Sequence, residues 1–228
     1  MNYPKINTIF KRDMDFNGKK KPLSLGDYSQ PEIEYLKDLK WECTEKIDGT
    51  NIHVDLHNIV SPDGDKNQIS MDFCGRTDKS VIPKHLKAKL EQLFDTNALA
   101  EVFIKNPLEK LHVSIFGEGY GMKIQNGGNY ISNDVDFILF DVNVNGIWLS
   151  RTSCEEIAKS LNVGIVPLIG YFTVDEAIDI VKKGFKSTIS ENKDYNAEGL
   201  VLKTPYYLSD SMGNRIITKI KTCDFNNK

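Results

Sequence analysis

Apolar and polar side chains alternate along three successive segments early in the chain, and this pattern constrains the fold most. Trp41–Ile47, Asn51–Asn58 and Gln68–Gly75 each follow the two-residue period of a strand that buries one face. Asp48-Gly49 separates the first two segments, and the polar run SPDGD at 61–65 separates the second from the third. Because Asp-Gly between alternating segments is a common hairpin signal, the sequence predicts an antiparallel meander that begins with a hairpin.

Helix signals alternate with further strand patterns in the rest of the chain. Apolar residues at helical spacing predict helices at Pro83–Phe94 and Asn97–Ile104, and a proline followed by acidic residues predicts another at Pro31–Leu39. Capping boxes at Thr152 or Ser153 and at Thr173 predict two more. The further predicted strands are Leu111–Glu118, Val135–Asn143, Ile147–Ser150, Gly164–Tyr171, Glu198–Lys203 and Arg215–Lys221. This order predicts an α+β fold of mainly antiparallel sheets with flanking helices.

The length and composition fit a globular protein with a substantial core. With 228 residues, 40% of them hydrophobic, we expect one domain over residues 1–228. Residues 1–30 are rich in Pro, Gly and Lys and are expected to form an irregular lead-in. No apolar run approaches the roughly 20 residues of a membrane helix, and the first residues are not signal-like. The four cysteines are far apart, so we expect reduced thiols and a cytoplasmic location.

The charge balance argues against a protein that coats nucleic acid nonspecifically. The net charge is −3 and the pI is about 5.9. Residues 201–228 nevertheless hold five basic side chains against two acidic ones. Such a cluster is compatible with a solvated surface or with a local phosphate-binding groove.

The six residues from Lys46 to Asn51, Lys-Ile-Asp-Gly-Thr-Asn, form the most informative chemical motif. A lysine two residues before Asp-Gly can present its amine beside a tight turn, so Lys46 is the candidate nucleophile. Five further segments follow in a fixed order. They are CGRT at 74–77, IFGEGYG at 115–121, FILFDV at 137–142, AEGLVLK at 197–203 and ITKIK at 217–221.

Two other sequence patterns resemble ligand-binding sites. The glycines at 117–121 do not complete G-x-G-x-x-G and lack a βαβ context, so a dinucleotide loop is excluded. His53, Asp55 and His57 share one face of a predicted strand, which is a conceivable metal-binding pattern. The intervening residues are apolar, and the sequence favours a half-exposed strand over a metal site.

Taken together, the six segments resemble motifs I, Ia, III, IIIa, IV and V of the covalent nucleotidyltransferases, the superfamily of ATP-dependent ligases and capping enzymes. Within it the chain is most similar to the RNA ligase 2 family, and the similarity runs from Trp41 to Phe225. This resemblance implies a nucleotidyltransferase (adenylation) domain with a central ATP cleft. Because the chain ends seven residues after the last motif, we expect no appended C-terminal domain.

The resemblance implies an ATP-dependent RNA ligase that forms a covalent lysyl-AMP on Lys46. AMP would then move to a 5′-phosphate end, and a 3′-hydroxyl would displace AMP to join the strands. Lys219 and Lys221 share one strand face by the period of two, and the resemblance gives them catalytic contacts to phosphates. Glu198 is the implied ligand of Mg²⁺, with Mn²⁺ as a possible substitute.

Further roles follow from the same resemblance. Glu45 would read the adenine amino group beside Ile47, Glu118 would accept hydrogen bonds from the ribose, and Phe140 would stack on adenine. Phe140 also fits simple core packing in an apolar strand. The implied polynucleotide-binding residues are Asn51, Arg76 and Lys203.

Several alternatives stay open at this point. Asp48 stands where many RNA ligases of this group have His, and Asp is commoner in DNA ligases and capping guanylyltransferases, which are the alternative enzymes. A degenerate protein that only binds nucleic-acid ends is the non-enzyme alternative. Expected partners are RNA ends, in single strands or a nicked duplex, and a protein that holds the RNA. We expect a role in RNA repair, in a host cytoplasm if the protein is phage-encoded, and no membrane association.

Overall fold

The computed structural model describes residues 2–18, 21–77, 80–125 and 129–225. The chain divides into two compact units. The first unit comprises Asp48–Val166 with the first three residues, and the second comprises Pro4–Ile47 and Pro167–Lys228. A single domain over residues 1–228 stays a prediction.

The secondary structure is mostly β. The strands are β1 Asn7–Thr8, β2 Phe10–Arg12, β3 Leu23–Tyr28, β4 Trp41–Lys46, β5 Thr50–Val60, β6 Asn67–Gly75, β7 Leu111–Gly121, β8 Val135–Val144, β9 Ile147–Trp148, β10 Gly164–Ile165, β11 Leu168–Phe172, β12 Gly199–Lys203 and β13 Ile217–Lys221. The α-helices are α1 Pro31–Tyr35, α2 Lys84–Leu93, α3 Thr96–Phe103, α4 Arg151–Ser160 and α5 Val174–Lys183. Within the described residues, no helix has the length and apolar run needed to cross a membrane.

The first unit is built on a sheet in the order β10-β8-β7-β5-β6, with β9 paired to β8. Its pairs are antiparallel except for β10 and β8. One face packs against helices α2, α3 and α4, because alternate residues of β5 and β7 such as Val54, Leu56 and Ile115 are apolar and fully buried. The other face of β5 and β7 carries polar side chains such as Asp55 and Ser114, together with the buried ring of Phe116.

The second unit contains a sheet in the order β1-β13-β12-β4-β11, and β2 pairs separately with β3. Helix α5 covers one face, where Trp41, Cys43 and Leu200 are fully buried with the apolar side of the helix. The predicted capping box at Thr173 is present, since its hydroxyl accepts from the Glu176 N–H and the Glu176 carboxylate accepts from the Thr173 N–H. The opposite sheet face carries the lysines discussed below.

Both sheets are mainly antiparallel and helices flank them, so this part of the predicted fold class is confirmed. The hairpin expected at Asp48-Gly49 was wrong: β4 pairs with β11 and β12, whereas β5 pairs with β6 and β7. Gly49 is required for a close approach instead, because a Cβ there would lie 2.3 Å from the Gly119 carbonyl oxygen.

Three other segments differ from the sequence prediction. Residues 1–30 contain β1, β2 and β3 where an irregular lead-in was expected, with residues 1, 19 and 20 outside the described part. The single strand predicted over Gly164–Tyr171 is two strands in different sheets, β10 and β11. Helix α4 is capped by the hydroxyl of Ser150, two residues before the predicted box, because Ser150 accepts from the Ser153 N–H.

Candidate active site

Three paired strands of the second unit place Lys46 and Lys221 in one row across the sheet. In the β4–β12–β13 ladder, Lys46 lies opposite Gly199, and Gly199 lies opposite Lys221. Since residues directly across a sheet project to the same face, the two lysines flank a glycine that has no side chain. This arrangement leaves the space between the two amines open to a side chain from the strand end.

Glu198, the residue before β12, occupies that position. Its Oε2 lies 2.5 Å from Lys46 Nζ and its Oε1 lies 2.5 Å from Lys221 Nζ. All three side chains are largely buried, with 15% to 28% of their surface exposed. Burial lowers the pKa of the Lys221 amine, but the hydrogen bond and charge of Glu198 outweigh it and raise that pKa above its ordinary value. The carboxylate therefore holds Lys221 as an ammonium.

Gly199 itself cannot be replaced without moving the backbone. Its φ is +154°, and a Cβ would lie 1.9 Å from the carbonyl oxygen of Ile220 on the neighbouring strand. Glycine is the residue that tolerates both the conformation and the approach. The Glu-Gly pair of this motif thus places the carboxylate while letting β12 and β13 pair closely.

Glu45 precedes Lys46 and is 1% exposed. Its Oε2 accepts from the Thr188 N–H at 3.1 Å and from the Thr188 hydroxyl at 3.0 Å. The other oxygen, Oε1, is buried and has no hydrogen-bond partner among the described residues. A buried acceptor without a donor costs about 1–3 kcal/mol, so Oε1 is suited to a donor from a ligand.

The remaining predicted residues of the second unit occupy different environments. Lys219 lies two residues before Lys221 on β13, opposite Val201, and therefore on the same sheet face. Ile47 is buried, and its carbonyl accepts from Lys46 Nζ at 3.3 Å. Lys203 is 7% exposed and lies opposite Glu42, which leaves little of its side chain for RNA phosphates.

In the first unit, Asn51 and Glu118 lie directly opposite each other on β5 and β7. Both are partly buried, and Asn51 Oδ1 is buried without a hydrogen-bond partner among the described residues. Arg76 is exposed just after β6. The ladder thus joins one predicted ATP-binding residue to one predicted polynucleotide-binding residue.

Phe140 lies at an irregularity of β8. The β7–β8 register passes from Phe116–Asp141 to Gly117–Leu139, which places a bulge at Phe140. Bulges redirect a side chain and recur beside functional sites. Phe140 is partly buried and packs edge-to-face against Tyr3, with ring centroids 5.0 Å apart. Phe140 thus belongs to a group of aromatic side chains around Tyr3, separate from the apolar cluster that contains Val54, Leu56 and Ile115.

A family model for RNA ligases matches residues 39–221. The chain belongs to the RNA ligase family. A search of curated proteins found no match. Among solved structures, the chain resembles the Naegleria gruberi RNA ligase in several variant forms. The form with ATP and Mn matches with a TM-score of 0.60 and 19% sequence identity. The match covers 94% of this chain and 58% of the Naegleria chain. A second form with ATP and Mn matches with a TM-score of 0.58 and 20% identity, and the match covers 96% of this chain and 62% of the Naegleria chain.

A third form of that RNA ligase, with AMP and Mn, gives a TM-score of 0.55 at 20% identity over 84% of this chain and 52% of the other. At such identities the likeness establishes the fold, and it confirms the predicted fold class. The chain spans less than two thirds of the length of these solved RNA ligases.

The structure brings some of the predicted residues together within each unit: Asn51 and Glu118 are cross-strand neighbours in the first unit. Lys46, Glu198 and Lys221 are in direct contact in the second unit. Sequence reasoning missed Thr188, the partner of Glu45, because it lies in no motif and is 143 residues away. It also missed the Tyr3 hydroxyl, which donates to the Asp141 carboxylate at 2.6 Å beside Phe140. Lys228, a member of the basic cluster, lies outside the described residues.

Proposed function

We propose that this member of the RNA ligase family is an ATP-dependent ligase of the RNA ligase 2 type, which joins 5′-phosphate and 3′-hydroxyl ends through lysyl-AMP. The observation that carries the proposal is the contact of Glu198 with both Lys46 and Lys221. This contact places Lys46, the candidate nucleophile, beside the Glu198 carboxylate, which also holds the Lys221 ammonium. The binding of ATP, AMP and Mn by the Naegleria RNA ligase supports a nucleotide and a divalent metal for this chain.

The first step starts from the amine of Lys46. The ammonium must lose a proton and leave its ion pair with Glu198 before its lone pair can attack. The amine then attacks the α-phosphorus of ATP, a P–N bond forms, the bond to the bridging oxygen breaks, and pyrophosphate leaves. Fixed cations stabilise the charge that develops on the phosphorus oxygens.

Two transfers complete the reaction. An oxygen of a 5′-phosphate attacks the phosphorus of lysyl-AMP, the P–N bond breaks, and Lys46 is regenerated. A 3′-hydroxyl then attacks the 5′-phosphorus of the adenylated end, loses its proton, and releases AMP as the phosphodiester forms. For these steps we assign Arg76 and Asn51 to the polynucleotide end, with Lys203 in a weaker role because of its burial.

The contacts to the nucleotide are assigned residue by residue. We assign adenine recognition to Glu45, with Ile47 beside it, because Glu45 Oε1 is a buried acceptor that needs a donor. Stacking on adenine is assigned to Phe140, and hydrogen bonding to the ribose to Glu118. The sheet bulge at Phe140 supports the first of these two assignments.

A divalent cation fits the chemistry of Glu198. Carboxylate oxygens are the ligands that Mg²⁺ and Mn²⁺ prefer. Both oxygens of Glu198 contact lysines, so Glu198 would release one of these contacts when it binds the ion. Such an ion would supply positive charge to neutralise the phosphates of the nucleotide. Action on single strands or nicked duplexes, a role in RNA repair and a cytoplasmic location complete the proposal.

The decisive test is covalent labelling. The chain is incubated with labelled ATP or GTP and Mg²⁺ or Mn²⁺ and then run on a denaturing gel. We expect labelling by ATP that is lost in Lys46→Ala and kept in Lys40→Ala, a control lysine of the same unit that pairs with Glu176 at the surface. Glu198→Gln should label slowly and need more metal. Labelling of Lys46→Ala would place the nucleophile elsewhere.

Asp48 is the observation that favours a second candidate, a DNA ligase or capping guanylyltransferase. Labelling by GTP would identify a capping enzyme, and preferential sealing of DNA strands would identify a DNA ligase. A degenerate end-binding protein would label with neither nucleotide. Against degeneration, Lys46, Glu198 and Lys221 are all present and in contact.

A further inference from the structure

A cluster of histidine, aspartate and cysteine side chains lies in the first unit, on one face of β5, β6 and β7. The ligand atoms of His53, Asp55 and Cys74 lie within 4.8 Å of one another. So do those of a second set, in which Asp55 is joined by His57 and His112. The two sets share the Asp55 carboxylate. Its Oδ2 faces His53, and its Oδ1 faces His112.

The face that carries these side chains is buried, contrary to the half-exposed strand favoured by the sequence. His53 is 2% exposed and Asp55 is 6% exposed. His53 Nδ1 is buried and has no hydrogen-bond partner among the described residues. A core histidine kept for structure has its nitrogens hydrogen-bonded, so a satisfied polar core does not explain His53.

The spacing of His53 and Asp55 fits two ligands of one tetrahedral ion. His53 Nε2 lies 3.4 Å from Asp55 Oδ2. Two ligand atoms each about 2.0–2.2 Å from a tetrahedral zinc ion are roughly 3.3–3.6 Å apart. Cys74 lies directly opposite His53 in the β5–β6 ladder and supplies a thiol to the same place.

The other oxygen of Asp55 is already engaged. Asp55 Oδ1 accepts a hydrogen bond from the Ser114 hydroxyl at 2.5 Å and lies 3.5 Å from His112 Nε2. Metal-binding carboxylates are commonly fixed by hydrogen bonds of this kind to their second oxygen. Ser114 therefore orients the carboxylate so that Oδ2 remains turned toward His53.

The second set is less suited to an ion. The imidazole rings of His57 and His112 stack with centroids 4.4 Å apart and 13° between their planes. Imidazole nitrogens bind metals in the plane of the ring, so two stacked rings must rotate before both can reach one ion. This set also lacks a sulfur ligand.

We propose that His53, Asp55 and Cys74 form a site for a divalent transition-metal ion of the zinc class, distinct from the ion that accompanies ATP. One sulfur, one nitrogen and one oxygen are the donors that zinc takes, whereas Mg²⁺ prefers oxygen alone. Three protein ligands leave a fourth tetrahedral position for water or another ligand. Cys74 is only partly buried, which gives the ion a route to the site.

The site is tested on the full chain without nucleotide, so its failure is independent of ligase activity. Chelator-treated protein is titrated with Co²⁺, which reports thiolate ligation by a sulfur-to-metal charge-transfer band. We expect one equivalent with that band and its displacement by Zn²⁺. Cys74→Ser should remove the band and weaken binding at least about tenfold, whereas Cys223→Ser, at an exposed cysteine of the second unit, should change neither.

Two further variants separate this site from its neighbour and from a folding defect. Ser114→Ala should weaken Co²⁺ binding about 10–100-fold, as loss of a second-layer hydrogen bond does, while His57→Gln should retain the band. Metal-free far-ultraviolet circular dichroism checks that each variant is folded. Absence of a bound equivalent in the parent chain, or a band that survives in folded Cys74→Ser, would overturn the proposal. Loss of binding in His57→Gln but not in His53→Gln would assign the ion to the other set.

Discussion

At the scale of single residues, the candidate site depends on carboxylates whose two oxygens have different surroundings. Glu198 gives one oxygen to each of two lysines. Glu45 gives one oxygen to Thr188 and leaves the other buried without a hydrogen-bond donor in the described chain. Glu45 therefore keeps one oxygen for a ligand, whereas both oxygens of Glu198 are held by lysines.

Glu45 should set the choice of base. Its free acceptor matches the amino group of adenine but faces the carbonyl oxygen of guanine, and an unmatched buried acceptor costs about 1–3 kcal/mol. We therefore expect the wild-type chain to label with ATP roughly 5- to 150-fold faster than with GTP, and Glu45→Gln to reduce that ratio. The measurement is the initial labelling rate with each nucleotide at equal concentration.

Thr188→Val provides the matched control for this prediction. Valine has the shape of threonine but cannot donate its hydroxyl to Glu45, while the backbone N–H of residue 188 still donates. The carboxylate should be held less firmly, so ATP labelling should slow while ATP stays preferred. An ATP-to-GTP ratio that is the same in Glu45→Gln as in the wild type would remove Glu45 from base recognition.

The roles of the motif residues could be predicted from the sequence, but their partners could not. Lys46, Glu198 and Lys221 were assigned through motif resemblance, and the structure places their side chains in contact. Thr188 and Ser114 were missed because each acts through one hydrogen bond to a residue distant in sequence. A small hydroxyl residue in a loop or strand carries no periodic signal that would reveal such a contact.

At the scale of elements, strand positions follow from alternation, but strand partners do not. β4 and β5 were predicted within one or two residues because apolar and polar side chains alternate along each, yet their shared turn did not make them a hairpin. Likewise β10 and β11 read as one apolar run although they join different sheets. Pairing depends on long-range packing, which a two-residue period does not encode.

The pairing of β12 with β13 should fail when Gly199 gains a side chain. Gly199→Ala places a Cβ against the Ile220 carbonyl in a conformation that alanine rarely adopts. We expect a loss of about 1–3 kcal/mol in the free energy of unfolding, together with loss of labelling because Glu198 shifts. Urea denaturation followed by circular dichroism measures the first effect, and the gel assay the second.

Gly164→Ala is the control for this change. Gly164 also lies in a strand, but a Cβ there would make only ordinary contacts, the nearest at 3.6 Å to Ile138. Its unfolding free energy should change by no more than about 0.5 kcal/mol. If Gly199→Ala were as stable and as active as Gly164→Ala, the close approach of β12 and β13 would not constrain the site.

At the scale of the whole molecule, charge is unevenly divided between the two units. The first unit has 11 basic and 16 acidic residues, and the second has 18 basic and 16 acidic. The first unit thus carries a net charge of −5 and the second +2, which together give the overall −3. A unit of net negative charge repels a polyanion except where a local cation reverses its field.

Arg76 is the exposed cation of the first unit that we assign to the RNA end, and salt dependence tests this role. Each phosphate contact contributes about 0.7 to the slope of log affinity against log salt for a single strand. Arg76→Ala should lower that slope by about this amount and slow sealing of pre-adenylated RNA, without affecting self-labelling. Lys87→Ala, which removes an exposed lysine of the same unit, should leave the slope unchanged. Equal slopes for wild type and Arg76→Ala, measured by RNA binding between low and moderate salt, would exclude a phosphate contact at Arg76.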